Sequence, residues 1–483
     1  MSLDRDALFI GGAWAKPATS AVLEVVSPHS EEVVARVPEG SAADIDAAVA
    51  AARRAFDEGP WPRLTPQERI DVVQNFSARY ADKVGEMAEL ITTEMGSTIS
   101  FSNMGQVPVA WLQIEAFLTI AREFPWEARR SGVLGADVVV RHEPVGVVAA
   151  IPPWNVPQFT VMSKLIPALL AGCTVVVKPA PESPLDGYLM AEILQQAGIP
   201  EGVVSIVAAG REVGEHLVRH PGIDKVAFTG STAAGRRIAA ICGEQLKRVS
   251  LELGGKSAAI VLDDADLAST VEGITFIGLM NSGQACVAQT RILVSRSRHD
   301  EIAQALAEAV GAMVVGDPAN DKTEIGPMVA QRQQQRVENY IRIGQQEGAQ
   351  LLTGGTGRPE GLEKGWYVRP TVFAHVDNRM RIAQEEIFGP VLSVIPYDDV
   401  DDAVRIANDS EYGLAGTVWT ADQEAGLAVA RRVRTGTYGV NTYTMDFAAP
   451  FGGFKASGIG REFGPEGLAQ YTELKSIYLQ PAV

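Results

Sequence analysis

The chain has 483 residues, 46% of them hydrophobic, with three cysteines and a formal net charge of −17. That length calls for two or three substructures rather than one core, and the acidity speaks against nucleic acid or anionic lipid as partner, since both need clustered Lys and Arg. Cys173, Cys242 and Cys286, with six histidines in no ligand-like spacing, support neither a disulfide framework nor a metal site.

No apolar run reaches the roughly 18 residues of a membrane span, and the start Met1-Ser-Leu-Asp-Arg-Asp lacks the basic and apolar regions of a signal peptide. A soluble, cytoplasmic protein is expected. In chain order, Asp44 to Phe56 has helical apolar spacing and Pro66 to Thr93 reads as a long helix or a pair, so the N-terminal third is expected to be mainly helical. Residues 126–143 read as a hairpin. Short apolar runs at 145–151, 174–178, 203–207 and 225–229 then alternate with helical stretches at 158–171, 184–197, 211–219 and 233–241, the pattern of a parallel doubly wound sheet. A second α/β series follows Gly255, with strands at 258–262, 291–295, 391–396 and 415–419 and helices near 266–280, 299–313, 328–347 and 422–433. The segment 474–480 reads as a strand with few neighbours of its own.

Three stretches carry chemistry. Asn281-Ser-Gly-Gln-Ala-Cys286 places a cysteine on a small-residue turn between apolar segments, where backbone N–H groups would favour the thiolate; Cys173 and Cys242 read as packing. In Leu251-Glu-Leu-Gly-Gly-Lys256, Glu252 ends an apolar strand, and its flanking leucines would raise its pKa toward that of a general base. Asn155, in Pro153-Trp-Asn155, offers an amide to a developing oxyanion, although it could equally cap the helix that follows. Gly230-Ser-Thr-Ala-Ala-Gly235 opens a helix after a strand and could face a phosphate, but such a junction is more often only a tight turn.

With these motifs stand Leu8-Phe-Ile-Gly-Gly-Ala-Trp14, Lys178-Pro179, Phe228-Thr-Gly-Ser-Thr232, Glu385-Glu-Ile-Phe-Gly-Pro-Val391, Pro450-Phe-Gly-Gly-Phe-Lys455 and Gly460-Arg-Glu462. In this order they resemble the NAD(P)-dependent aldehyde dehydrogenase superfamily over essentially the whole chain. The resemblance implies two Rossmann-like doubly wound domains: residues 1–125 with 144–254 for the cofactor, and 255–455 for the thiol. Residues 126–143 and 470–483 would form an oligomerisation segment. It implies Cys286 as nucleophile, Glu252 as base, Asn155 with the Cys286 N–H as oxyanion hole, and Lys164 with Glu462 as a proton relay. The cofactor would lie against Ile151, Pro153, Trp154, Lys178, Glu182, Gly210, Gly214, Phe228, Gly230, Ser231, Leu253, Gly254, Glu386 and Phe388.

Where many NAD-preferring members carry a glutamate three residues past the lysine, this chain has Pro181, with Glu182 next. That displacement permits NADP without requiring it, and NAD remains the more expected cofactor. Gln113, Phe117, Thr160, Ser163, Met280 and the loop Thr444–Phe447 are candidates for the substrate tunnel. Without Arg or Lys among them, an apolar medium-sized or aromatic aldehyde is favoured over an anionic one. Two rivals are a CoA-acylating semialdehyde dehydrogenase, disfavoured by the presence of Glu252, and a non-catalytic protein on the same scaffold. The hairpin and the last strand, with no evident partner inside one subunit, point to a homodimer or homotetramer, with Glu473 at the junction.

Overall fold

The structure, a computed structural model, describes residues 3–480. Residues 1, 2 and 481–483, which include the end of the expected oligomerisation segment, lie outside the described residues.

The runs Val147–Ile151, Thr174–Val177, Val204–Ile206, Lys225–Thr229 and Arg248–Glu252 form the parallel core of an eight-stranded sheet. Each is followed by a helix or turn, and most of their side chains are apolar and buried, as strands covered on both faces must be. Val147–Ile151 lies between Thr174–Val177 on one side and Lys225–Thr229 on the other. The strand order therefore reverses between Val147–Ile151 and Lys225–Thr229, which opens a crevice beyond their carboxyl ends.

A seven-stranded sheet contains the parallel strands Ser257–Val261, Gln289–Ser295, Thr371–Ala374, Val391–Tyr397 and Gly416–Trp419. The turn Leu253–Lys256 joins the carboxyl end of the first sheet to the amino end of the second. The segments that lead into Gln289–Ser295 and Val391–Tyr397 therefore face the same seam.

The N-terminal third does contain the helices Ala42–Asp57, Pro66–Ala81, Val84–Met95 and Val107–Glu123, but strands precede them. Leu8–Ile10 and Ala13–Ala15 extend the first sheet, and Val22–Val26 pairs with Val33–Pro38. The first two are three residues long, too short to show alternation, and the expectation of a mainly helical start passed over them and over the longer pair alike.

One expectation is overturned. Asp137–Pro144 pairs with Glu127–Ser131 on one side and with Thr472–Tyr478 on the other, from Thr472 opposite Pro144 to Tyr478 opposite Val138. The hairpin and the last strand thus satisfy each other within one subunit. Their separation in sequence hid a pairing that only chain folding creates. Among the described residues, no helix is long and apolar enough to cross a membrane.

Candidate active site

The Cys286 loop is held in an uncommon backbone shape. Asn281, Ser282 and Gly283 all have positive φ (52°, 59° and 73°), an arrangement that persists only where its surroundings over-determine it. Gly283 is pressed onto the chain at Gly389, where an added Cβ would lie 2.3 Å from the Gly389 carbonyl carbon. The Ser282 hydroxyl donates to Gly326 O at 3.1 Å, and the Gln284 amide oxygen accepts from Val329 N–H at 3.0 Å. The sulfur-bearing residue is half-buried beside this fixed turn.

The thiol is not activated at rest. Burial, followed by the nearby carboxylates Glu386 and Glu252, pushes the Cys286 pKa up to about 12. The expectation that backbone N–H groups would favour thiolate is therefore corrected: desolvation and two carboxylates outweigh the loop dipoles. A base has to take the proton. Glu252 is buried at the end of its strand with neither carboxylate oxygen hydrogen-bonded to a protein group. Its pKa is raised well above the usual range by burial and then by Glu462, while Lys164 and Arg461 act in the opposite direction. It lies against Gly452, where a Cβ would come 2.7 Å from Oε1.

Behind Glu252 sits a buried ion pair: Lys164 Nζ donates to Glu462 Oε1 and to the Thr229 hydroxyl, both at 2.6 Å, and reaches Thr160 O at 3.3 Å. Asn155 is buried in the connection between Val147–Ile151 and the helix Pro157–Ala171, and its Nδ2 donates to Gln284 O at 2.8 Å. The alternative of a helix cap does not occur, because no side chain caps that helix and Val156 holds the cap position.

The residues expected to face the cofactor stand on both sides of the crevice. Ile151, Pro153 and Trp154 leave the central strand, and the Trp154 ring meets Phe388 edge-on at 5.5 Å. Phe228, Gly230 and Ser231 leave the next strand, with Ser231 exposed at the N-terminus of the helix Thr232–Glu244, its hydroxyl accepting from Ala234 N–H at 3.3 Å. Leu253 packs on Gly235, and Gly254 passes so close to Glu386 that a Cβ there would fall 2.5 Å from Oε2. Glu386 Oε1 accepts from Gly255 N–H at 2.9 Å. Lys178 is buried, its pKa lowered to about 8 by burial, and donates to Pro179 O and Ala209 O at 2.8 and 2.7 Å. Gly214 lies over its side chain, and Gly210 caps the helix Arg211–Arg219. Glu182 is not free: it is ion-paired with Arg332, a residue the sequence reading passed over.

The tunnel candidates divide. Gln113, Phe117 and Ser163 lie inside the packed helical core, and the Ser163 hydroxyl is spent on Thr160 O at 2.9 Å. Met280, Met445 and Phe447 are half-buried on the cluster that also holds Trp154, Tyr443 and Cys286. Phe159, Phe451 and Phe463, which the sequence reading did not name as lining, complete an aromatic wall with Phe447, with ring centroids 5.0–6.2 Å apart. Phe451 stood within a quoted motif; Phe159 and Phe463 carried no local signal.

The other thiols are shielded. Cys173 is fully buried with its pKa near 11 from burial, and Cys242 is buried within its helix. The fold also gathers His299, Asp300 and His375, three potential metal ligands that sequence spacing did not reveal. His299 Nε2 lies 3.2 Å from the His375 N–H and accepts from it, so Nδ1 carries the proton and faces Asp300 at 2.9 Å.

A thiol, an unpaired buried carboxylate and an amide at the mouth of a dinucleotide-type crevice form a set suited to covalent chemistry at a carbonyl carbon. Comparison with known proteins agrees. The Aldehyde dehydrogenase family profile matches residues 14–477. The geranial dehydrogenase of Castellaniella defragrans is 45% identical over 99% of this chain and 100% of its own length. A 3-succinoylsemialdehyde-pyridine dehydrogenase of a Pseudomonas species is 41% identical over 98% of each chain. A Mycobacterium tuberculosis aldehyde dehydrogenase complexed with NAD+ superposes with a TM-score of 0.98 at 49% identity, covering all of both chains. A mutant of aldehyde dehydrogenase C from Pseudomonas syringae, complexed with NAD+ and octanal, gives 0.95 at 42% identity over 98% of this chain and 96% of its own. The chain belongs to the aldehyde dehydrogenase family.

Proposed function

We propose that this enzyme oxidises an apolar, medium-sized or aromatic aldehyde to its carboxylic acid, with Cys286 as nucleophile and NAD+ as the preferred oxidant. Bound dinucleotide supplies the hydride acceptor. The crevice suits one: two closely packed glycine turns, an exposed helix N-terminus at Ser231 and the Trp154–Phe388 wall flank it. Glu252 takes the thiol proton as sulfur adds to the carbonyl carbon, and the Asn155 amide with the Cys286 N–H holds the oxyanion. Hydride loss leaves a thioester. Once Lys164 with Glu462 has carried that first proton away, Glu252 draws a proton from water as it attacks the thioester; the C–S bond breaks and the proton passes to the departing sulfur, releasing acid and free thiol.

The observation that carries this reading is Glu252: a buried carboxylate with no hydrogen-bond partner and a raised pKa, close enough to influence the thiol. Cys286→Ala should abolish NADH formation while cofactor still binds. Glu252→Gln should form the acyl-enzyme only slowly, for want of a base to take the thiol proton, and should release acid about 10²-fold or more slower. Unchanged turnover in either variant would refute its role.

The wall of Phe159, Met280, Met445 and Phe447 carries no cation, which supports an apolar substrate; the relatives named for geranial and crystallised with octanal fit that chemistry. Preference for succinate semialdehyde over apolar aldehydes would reverse it. With Pro181 in place of a ribose-binding glutamate and Glu182 held by Arg332, NADP is tolerated rather than repelled, and a substrate panel run with each cofactor ranks the two.

We divide the chain as before, with residues 1–125 and 144–254 for cofactor, 255–455 for the thiol, and 126–143 with the C-terminal strand for assembly. Leu474, Ile477 and Tyr478 remain exposed on the three-stranded sheet, an arrangement that supports a homodimer or homotetramer. Truncation after Lys475 should abolish assembly and activity; an active monomer by light scattering would refute it. Three unpaired cysteines fit a reducing, cytoplasmic location.

A further inference from the structure

Asn155 lies in a short connection with no ladder of its own, so something else has to hold it still. Its carbonyl oxygen accepts two side-chain amides, Asn281 Nδ2 at 2.9 Å and Gln106 Nε2 at 3.1 Å. Its own Nδ2 donates one proton to Gln284 O, and the Gln284 amide returns to Asn281 O at 3.2 Å. The Asn155–Asn281–Gln284 ring ties the connection to the thiol loop and leaves the second Asn155 N–H proton free.

Gln106 enters this ring from outside. It ends a π-helical turn, Ser102–Gln106, at the head of the helix Val107–Glu123, and such turns recur at functional sites. Gln106 is fully buried, its Nε2 also reaches the Ser97 hydroxyl at 3.2 Å, and its Oε1 has no partner. The orientation is forced, because turning the amide would set its oxygen against the Asn155 carbonyl. An apolar side chain would avoid an orphaned oxygen at this buried position. What the amide adds is a directed donor onto the main chain of Asn155.

We propose that Gln106 is a positioning residue: by clamping the Asn155 carbonyl it aims the free Asn155 side-chain N–H at the oxygen that becomes negative when Cys286 adds to the aldehyde. The inference rests on Asn155 being that oxyanion donor. A misplacement of about 1 Å can cost on the order of 100-fold in rate. Gln106→Met, which keeps length and removes the donor, should therefore slow single-turnover NADH formation from octanal and NAD+ by roughly ten-fold or more, with NADH affinity and thermal midpoint near those of the parent.

A double-mutant cycle with Asn155→Ala separates the outcomes. If Gln106 acts through Asn155, Gln106→Met should slow the Asn155→Ala enzyme by less than about two-fold. An equal loss in both backgrounds, or no loss in the parent, overturns the positioning role. A normal single-turnover rate in Asn155→Ala alone overturns the oxyanion reading instead. Should Gln106→Met not fold, Gln106→Glu serves, because that side chain can donate to the carbonyl only when protonated. Its rate relative to the parent should fall as pH rises, and a constant ratio overturns the proposal.

Discussion

Two Lys–Glu pairs that tie the end of the chain to its first half have almost the same separation and very different settings. Lys164 and Glu462 meet at 2.6 Å with their side chains 0% and 7% exposed, and Lys475 meets Glu143 at 2.5 Å with 56% and 33% exposed. Distance alone would rank them together. The first has no water to replace a lost partner, so each charge depends on the other; the second crosses two strands of the outer three-stranded sheet, where solvent does most of the stabilising. The buried pair also influences Glu252, whose pKa responds to both of its members, whereas the surface pair supports only a sheet. Burial, rather than distance, separates the two pairs.

The largest test breaks the buried pair. Lys164→Met leaves Glu462 alone in the interior and should destabilise the protein by about 3–5 kcal/mol in urea unfolding. Lys164→Met combined with Glu462→Leu should recover most of that stability without recovering deacylation. If the double variant regained full turnover, the pair would have no part in proton removal.

A second test follows burial to the thiol. Because the Cys286 pKa stands near 12, alkylation of the cofactor-free enzyme by iodoacetamide should keep rising with pH, without the plateau near 8.5 of an ordinary thiol. Glu252→Gln removes one of the carboxylates that raise this pKa and should move the profile to lower pH.

A third uses two neighbouring buried acids, Asp186 and Glu94. Asp186 has a pKa of about 7, raised chiefly by burial, and Glu94, likewise raised by burial and by Asp186, accepts from Leu185 N–H and Asp186 N–H. The folded state therefore holds protons that the unfolded chain releases near its usual value of 3.8. Stability from this source is present at acid pH and is lost as pH rises from about 4 toward 7. Asp186→Asn should flatten that decline in a series of melting temperatures against pH.

The smallest effect belongs to the surface. Lys475→Gln should cost less than about 1 kcal/mol, and the difference should shrink further in about 1 M salt, where the Debye length is about 3 Å. A larger loss would mean that the subunit proposed to join this sheet also buries the Lys475–Glu143 pair.

The chemistry was legible where it was local. Cys286 and Glu252 each sit in a motif whose small and apolar neighbours already describe a turn and a strand end. Lys164 and Glu462 are 298 positions apart, and only the resemblance linked them. Gln106, Arg332, Phe159 and Phe463 left no local signal, because what distinguishes them is the residue each one touches. For Gln113 and Phe117 the sequence could say only that the face is buried, because helical spacing does not tell which neighbour buries it.

Continuous apolar runs alternating with helical periods determined, from sequence alone, a pair of parallel α/β sheets, since strands covered on both faces admit few other residues. Motif order determined the family. Only the tertiary structure decided that the thiol rests protonated, that the hairpin and the last strand pair with each other, and that Asn155 is clamped from two elements. These three depend on desolvation, hydrogen-bond partners and charges contributed by distant segments, quantities that exist only once the chain has folded.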